Sequence, residues 1–287
     1  MATKKSEVAV VEQKDTPVTV QDTKPSGLAA KMLASRGEGM EGTTKESFAI
    51  PFLTILQSNS PQLDTIEGAK SGMFFESVNE RVIPGTPGLQ IILCAYSRRF
   101  VRWAPRTQGG GYRGEMYPEE VKQLIDKKLA VEGKGMRLYS VGADSTPDPD
   151  KHDMLRDTRN HYILMLNPDT GSCMRAMLSL SSTQIKKSGR IMTALEGIRM
   201  PDGKGGMFKP PTFSQIVRLT TVPEANEYGK WFGARMTVEG PLEDEALFDE
   251  AKDFRDTVAA GLVTSTYDEA HAPVVEGSGV KGDDIPF

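Results

Sequence analysis

The 287-residue chain carries 35 Lys and Arg against 39 Asp and Glu, a formal net charge of −4, with 38% hydrophobic residues. Its mean hydropathy of −0.38, with no run near the roughly 18 apolar residues of a membrane-spanning helix and no apolar core of a secretory signal at its start, predicts a soluble cytoplasmic protein. Two cysteines (Cys94 and Cys173) and three histidines exclude a disulfide scaffold and leave too few soft ligands for a Cys/His zinc site, so no metal or other cofactor is expected.

The net charge hides an uneven distribution. Residues 1–88 sum to −2, residues 89–242 to +7 and residues 243–287 to −9. A basic middle joined to an acidic end suits an anionic partner far better than the average implies.

In chain order, residues 1–47 are polar and nearly free of aromatic rings, a composition that predicts a disordered arm with at most a short amphipathic turn at Leu28 to Leu33. Order is expected from Phe48, where Ile50 to Leu56 is an apolar run that Pro51 restricts to an edge strand or extended arm. A weak strand follows at Met73 to Val78. Leu89 to Ala104 is the clearest strand, long enough that it must bend. Four glycines (109, 110, 111 and 114) lead to a helix over Pro118 to Ala130 with proline at its start. The polar, proline-broken stretch Asp144 to Asp157 reads as a loop. His161–Asn167 and Ser172–Leu180 form a hairpin around Pro168 to Gly171. A helix is predicted over Ser182 to Ile198, capped by Ser181 or Ser182, with Ile185, Met192 and Leu195 on its apolar face. A Gly/Pro/Lys loop at Pro201 to Pro211 precedes a last hairpin, Phe213–Val222 and Trp231–Glu239. Glu243 to Val263 is an acidic helix with Leu247, Phe248, Ala251 and Phe254 as its docking face, and residues 264–287 should be flexible.

The string strand, insertion, two-strand hairpin, helix, two-strand hairpin predicts a mainly β fold: an OB-fold-like Greek-key barrel with a long insertion after its first strand and disordered tails at both ends. The corresponding domains are an arm at 1–47, a core at 48–242 with its insertion at about 107–157, the acidic helix at 243–263 and an acidic tail at 264–287.

Within the first strand, period-two alternation assigns Leu89, Ile91, Leu93, Ala95, Val101 and Trp103 to one face. Tyr96, Arg98, Phe100 and Arg102 fall on the other, where rings for stacking unpaired bases alternate with cations for phosphates. A bulge would instead turn Trp103 toward that platform. Trp231 and Arg235 share a face of the last strand and form a second candidate contact. Lys186, Lys187 and Arg190 on the helix, and Lys204 and Lys209 in the loop after it, are candidate phosphate contacts, although a charge cluster is more often a solvated face.

The last residues, Gly282-Asp283-Asp284-Ile285-Pro286-Phe287, resemble the acidic tip of bacterial single-stranded DNA-binding proteins, and the layout of the chain resembles single-stranded DNA-binding proteins of tailed bacteriophages. Here the acidic run is two residues and Lys281 precedes it, a departure that implies weaker partner binding than in the family. The resemblance implies binding of single-stranded DNA without strong sequence preference in DNA replication, recombination or repair, with no enzymatic activity and no membrane association. It also implies a bacterial host cytoplasm for a phage-encoded chain, and it is compatible with a homo-oligomer. Asp283, Asp284, Ile285, Pro286 and Phe287 would recruit a polymerase, helicase-primase or nuclease. A ring and a carboxylate on one terminal residue ask of the partner only an apolar pocket beside a cation. The 18 residues 264–281 would reach about 20–25 Å, far enough for the tip to compete with DNA for the basic core.

The rivals are a single-strand annealing recombinase, a metal-dependent nuclease and a protein-only adaptor. For a nuclease, Asp144, Asp148, Asp150, His152, Asp153 and Asp157 form an acidic cluster, at a spacing that matches no calcium loop. His161 has no nucleophile at a useful spacing. The glycine stretches match neither common phosphate-loop motif.

Overall fold

The computed structural model describes residues 27–35, 38–39, 41–43, 50–133, 137–143, 145–167, 170–226 and 229–263. The chain divides into two compact units, Met1–Thr43 and Thr44–Phe287. In the first, α1 (Leu28–Ala34) has no side-chain cap and exposes Leu28, Met32 and Leu33.

The second unit is built on β4 (Leu89–Trp103), preceded by β1 (Leu53–Ile55), the short helix α2 (Gln62–Thr65), β2 (Phe74–Glu76) and β3 (Arg81–Ile83). After β4 come β5 (Tyr112–Met116), α3 (Pro118–Asp126), β6 (Ala130–Glu132) and β7 (Leu138–Ser140). The chain then returns through β8 (Asp153–Leu166), β9 (Cys173–Ser181) and α4 (Ile185–Glu196). A small ribbon, β10 (Met200–Pro201) with β11 (Met207–Phe208), precedes the hairpin of β12 (Gln215–Asn226) and β13 (Gly229–Pro241). Helix α5 (Glu245–Ala259) is the last described element. No described helix is long and apolar enough to cross a membrane.

The main sheet is antiparallel and curled into a half-barrel. Its order is β13–β12–β4–β8–β7–β6, with β5 added on β4 and β9 on β8. The residues between β4 and β8 therefore prolong the same sheet rather than forming a separate layer, because β5 pairs with the end of β4 and β7 with the start of β8. The first half of β4 pairs with β12 and its second half with β5, so one 15-residue strand serves both the barrel and its extension.

A bulge at Cys94 sets the faces of β4. Leu93 pairs with Ile163 and Ala95 with Tyr162, which leaves Cys94 as the extra residue and reverses the side-chain parity beyond it. The face predicted for Leu89 to Trp103 is thus split. Leu89, Ile91 and Leu93 enter the barrel core with Ile163, Leu178, Ile191, Val217 and Leu219. Val101 and Trp103 join Ile92 and Cys94 in a second core on the outer face. Tyr96, Arg98, Phe100 and Arg102 continue the inner face rather than opposing it. Trp103 stays buried and does not reach the platform.

Helix α5 covers the outer face. Asp244 caps it, accepting from the amides of Ala246 and Leu247. The docking residues expected from the sequence are all inward: Ala251 and Phe254 are fully buried, and Leu247 and Phe248 pack against the same core. Phe254 meets Tyr162 edge to face, with ring centroids 6.2 Å apart. Arg175 of β9 donates to Glu250 (2.8 Å) and Asp253 (2.7 Å), tying the acidic side of α5 to the sheet.

Strands β9 and β13 do not pair, and the segment from Ile50 to Gln57 lies between them. The Met177 amide donates to Pro51 O at 2.8 Å. On the other side, the Gln57 carboxamide imitates a ladder residue: it donates to Phe232 O and accepts from Phe232 N, both at 2.9 Å. The apolar Leu53 and Leu56 of this segment are buried. Gly88, at φ +77°, holds the β3–β4 connection against β12, where a Cβ would lie 2.1 Å from Leu219 O.

Several expected boundaries differ for identifiable reasons. The stretch read as a loop to Asp157 is strand from Asp153, since its carboxylates are neutralised by arginines of β4, β5 and β8. Helix α4 starts at Ile185 after a 3-10 turn over Ser182–Gln184, and no serine caps it. Its buried positions are Ser188, Ile191 and Leu195, while Ile185 and Met192 are only half-buried. Helix α3 ends at Asp126, and Ala130 begins β6 instead.

His161 and Ser188 form a buried polar contact between β8 and α4, with Nε2 and Oγ 2.8 Å apart. Burial lowers the His161 pKa to about 4. The unfolded chain protonates first as pH falls, so stability is complete above about pH 6.5 and declines toward pH 4 by about 1.4 kcal/mol per unit. Urea unfolding across pH 7 to 4 should show this decline in the native protein and a flatter one in His161→Gln. Phe254→Ala should cost about 3–5 kcal/mol in the same assay at pH 7, by opening a cavity under α5.

Candidate nucleic-acid interface

Beyond the bulge, the inner face of β4 and β8 forms a row of facing pairs: Tyr96 with His161, Arg98 with Arg159, Phe100 with Asp157 and Arg102 with Leu155. Tyr96 is 42% exposed, and its ring lies 5.3 Å from the buried His161 ring, inclined by 56°. The four residues expected to form the platform therefore do share one surface.

Their charges are not free. Arg98 grips Asp157 through Nε (3.1 Å) and Nη2 (2.8 Å), and Arg159 donates to the same carboxylate. The hydrogen bond to Asp157 raises the Arg98 pKa above its usual value. Arg102 donates to Asp153, which Arg113 also approaches at 3.1 Å. Each aspartate thus holds two guanidiniums, so each group is net positive, and a guanidinium has five N–H donors of which the carboxylate takes one or two. The Arg98 guanidinium also sits 5.3 Å from the centroid of Phe100.

A cavity of about 510 Å³ opens beside this row, between the sheet extension and the start of α4. Phe100 and Lys186, both singled out in the sequence, line it together, with Leu138, Leu155, Arg156 and Ser182 among the other walls. Lys186 and Arg190 are exposed one helical turn apart on α4.

Lys187 points elsewhere. It pairs with Glu224, which also accepts from Trp231 Nε1 at 2.9 Å. Glu224 and Trp231 face each other in the β12–β13 register, so one carboxylate joins the helix to the hairpin beside a second cavity of about 500 Å³. Arg235 is exposed on the same face as Trp231, opposite the core-packed Met236 and Val238.

The loop cations separate. Lys204 is exposed in a turn organised by Asp202, whose carboxylate accepts from the amides of Lys204 (2.8 Å) and Gly206 (2.9 Å) and has a lowered pKa in consequence. Lys209 pairs with Glu196 at the end of α4 and lowers that carboxylate's pKa. Met207 and Phe208 on the ribbon are exposed. Sequence reasoning passed over Phe208, whose signal was a lone ring between Gly206 and Pro210. It passed over Arg159 and Arg113 as well, since nothing local reveals a shared counter-ion.

The acidic cluster is dispersed rather than convergent. Asp153 and Asp157 are the arginine counter-ions above. The amide of Asp150 and then Lys151 lower the Asp148 pKa, and His152 Nδ1 accepts from the Asp148 amide at 3.0 Å. Asp144 lies outside the described residues. No described His, Cys, Asp or Glu residues form a group of three placed to hold a metal ion. Asp283, Asp284, Ile285, Pro286 and Phe287 also lie outside the described residues.

A family model described as "Pam3 phage gp34-like protein" matches residues 20–264. No curated protein and no solved structure matches the chain.

Proposed function

The chain belongs to the Pam3 phage gp34-like protein family, and we propose that it binds single-stranded DNA in phage replication, recombination or repair. The observation that carries this reading is the row of exposed Tyr96 and Arg98 and half-buried Phe100 and Arg102, which runs alongside the cationic start of α4. Rings and guanidiniums alternating on an open sheet face offer stacking and phosphate contacts that no base pair is needed to satisfy.

The finer fold assignment supports the same reading. Counting β4, β8, β9, β12 and β13 as strands one to five, the sheet order is five–four–one–two–three with a helix between the third and fourth. That is the order of an OB-fold, whose strand two–three face and flanking loops commonly bind oligonucleotides. Here α5 occupies the outer face of those two strands, with Arg175 committed to Glu250 and Asp253. The DNA path in this reading therefore runs over the inner row and toward the Trp231 hairpin.

At the other end of the chain, Asp283 to Phe287 serve as a peptide ligand for replication or recombination proteins of the host or phage. The acidic segment also competes with DNA for the basic core.

Labelled oligo-dT and duplex DNA titrated across a salt series test the reading directly. The expected result is strong preference for the single strand, with log affinity falling linearly against log salt. Tyr96→Ala should weaken binding by about 5- to 150-fold, the range spanned by one lost stacking partner. Equal binding of duplex and single strand would overturn the proposal. Rapid annealing of complementary strands by ring-shaped assemblies would replace it with a recombinase.

Removing residues 282–287 should raise DNA affinity at low salt and abolish capture of a polymerase, helicase-primase or nuclease. Unchanged affinity together with unchanged capture would remove the tip from the mechanism.

A further inference from the structure

We propose that the β10–β11 ribbon is a second contact for single-stranded DNA, stacking an unpaired base on Phe208, and that a cationic stripe along α4 joins it to the Tyr96–Arg102 row. The proposal rests on the single-strand reading above and extends it.

The ribbon presents its apolar side chains to solvent. Met200 pairs with Phe208 and Pro201 with Met207, so Met207 and Phe208 project from opposite faces. They are 63% and 45% exposed. The ribbon is nonetheless fixed by its own bonds. The Asp202 carboxylate accepts from the amides of Lys204 and Gly206, and the Asp202 amide donates to Gly206 O at 3.0 Å. A Cβ on Gly206 would lie 2.5 Å from Asp202 Oδ2, so the turn is built for glycine. Lys209 pairs with Glu196 and anchors the returning strand to the end of α4. Single exposed apolar side chains are ordinary, but here an aromatic ring is held in place on an ordered projection.

Charge selects the partner. Residues 185–209 contain six Lys and Arg and two acids, and both acids are committed, Glu196 to Lys209 and Asp202 to the turn amides. Lys187 is taken by Glu224. Lys186, Arg190, Arg199 and Lys204 are all exposed, and none forms a salt bridge with a described acid. Arg199 donates to the carbonyls of Glu196 and Ile198, which leaves its charge unneutralised. The free charge beside the ribbon is therefore cationic. A ring flanked by cations suits an unpaired base with its phosphate, whereas duplex DNA keeps its base faces stacked on one another.

Helix α4 supplies the link to the row. Lys186, Arg190, Thr193 and Gly197 are exposed at i, i+4, i+7 and i+11, one stripe of the helix from which Glu196 is turned away. The stripe starts at Lys186, which shares a cavity wall with Phe100 of the row. It continues past two small residues to Arg199 and the ribbon. The 12 residues of α4 carry it about 18 Å. A strand leaving the row at Phe100 thus follows cations to Phe208.

The test titrates the full chain with labelled oligo-dT of increasing length. Affinity should rise with length until one strand reaches both contacts. Phe208→Ala should weaken the longest oligonucleotide by about fivefold or more and leave the shortest that binds unchanged, whereas Tyr96→Ala weakens both. Phe208→Trp should keep the affinity and Phe208→Leu should not, which separates stacking from apolar contact. Lys204→Glu should weaken only the longer oligonucleotides and flatten their log–log salt slope by about one unit. Thermal melts check that each variant folds. Unchanged binding of every length by Phe208→Ala, with wild-type binding intact, would overturn the ribbon contact and leave the single-strand reading standing. Loss of a dimer in sedimentation by Phe208→Ala, with DNA binding intact, would assign the ribbon to a second copy and overturn the proposal. Failure of the wild-type chain to bind oligo-dT would overturn both readings.

Discussion

Cys94 is one residue more than the β4–β8 ladder can pair, and the layout of the core follows from that surplus. Before it, the inward side chains of β4 are aliphatic and fill the barrel. After it, the same face carries Tyr96, Arg98, Phe100 and Arg102, while the aliphatic and indole side chains of Val101 and Trp103 go outward to meet the second core. Without the extra residue a strict alternation would have turned the cationic row onto the surface that α5 covers, where unpaired guanidiniums are costly to bury. The bulge thus lets one strand serve two cores and still present a polar row to solvent.

Charge is distributed by the same economy. The basic middle of the chain is neutralised in pieces: Asp153 and Asp157 each hold two arginines, and Glu224 and Glu196 each hold a lysine. Sharing one carboxylate between two guanidiniums restricts the rotamers of both while leaving a positive excess, so the row is held in place by the protein's own counter-ions. The acids of α5 act differently. Glu250 and Asp253 converge on Arg175, and the guanidinium lies 5.1 Å from the Phe254 centroid. Two carboxylates and an aromatic ring thus fasten α5 to the sheet at a single arginine.

Much of the architecture was legible in the residues. Hairpin turns and period-two patterns located the strands β4, β8, β9, β12 and β13, and the apolar face of α5 could be read directly from Leu247, Phe248, Ala251 and Phe254. What escaped were features that depend on partners distant in sequence. A bulge at an ordinary cysteine has no local signature. The polar start of β8 resembles a loop until the arginines opposite it are known. The outward parity of Trp231 was readable, but its link to Lys187 through Glu224 was not, because the carboxylate belongs to the facing strand. Within the candidate site, the row of Tyr96 to Arg102 was visible in advance, whereas the cavity that joins Phe100 to Lys186 exists only once β8 and α4 are packed.

The seam at Gln57 sets a schedule for the making of the protein. The carboxamide that closes the half-barrel finds its partner, Phe232, 175 residues later in the chain. At ribosomal rates of about 5–20 residues per second, the apolar run from Ile50 to Leu56 emerges about 10–35 s before the strand it must join. Closing so long a loop is slow for entropic reasons. During that interval the nascent chain carries an apolar strand with an open edge, and Pro51, by removing one of its donors, blunts that edge against pairing with another chain.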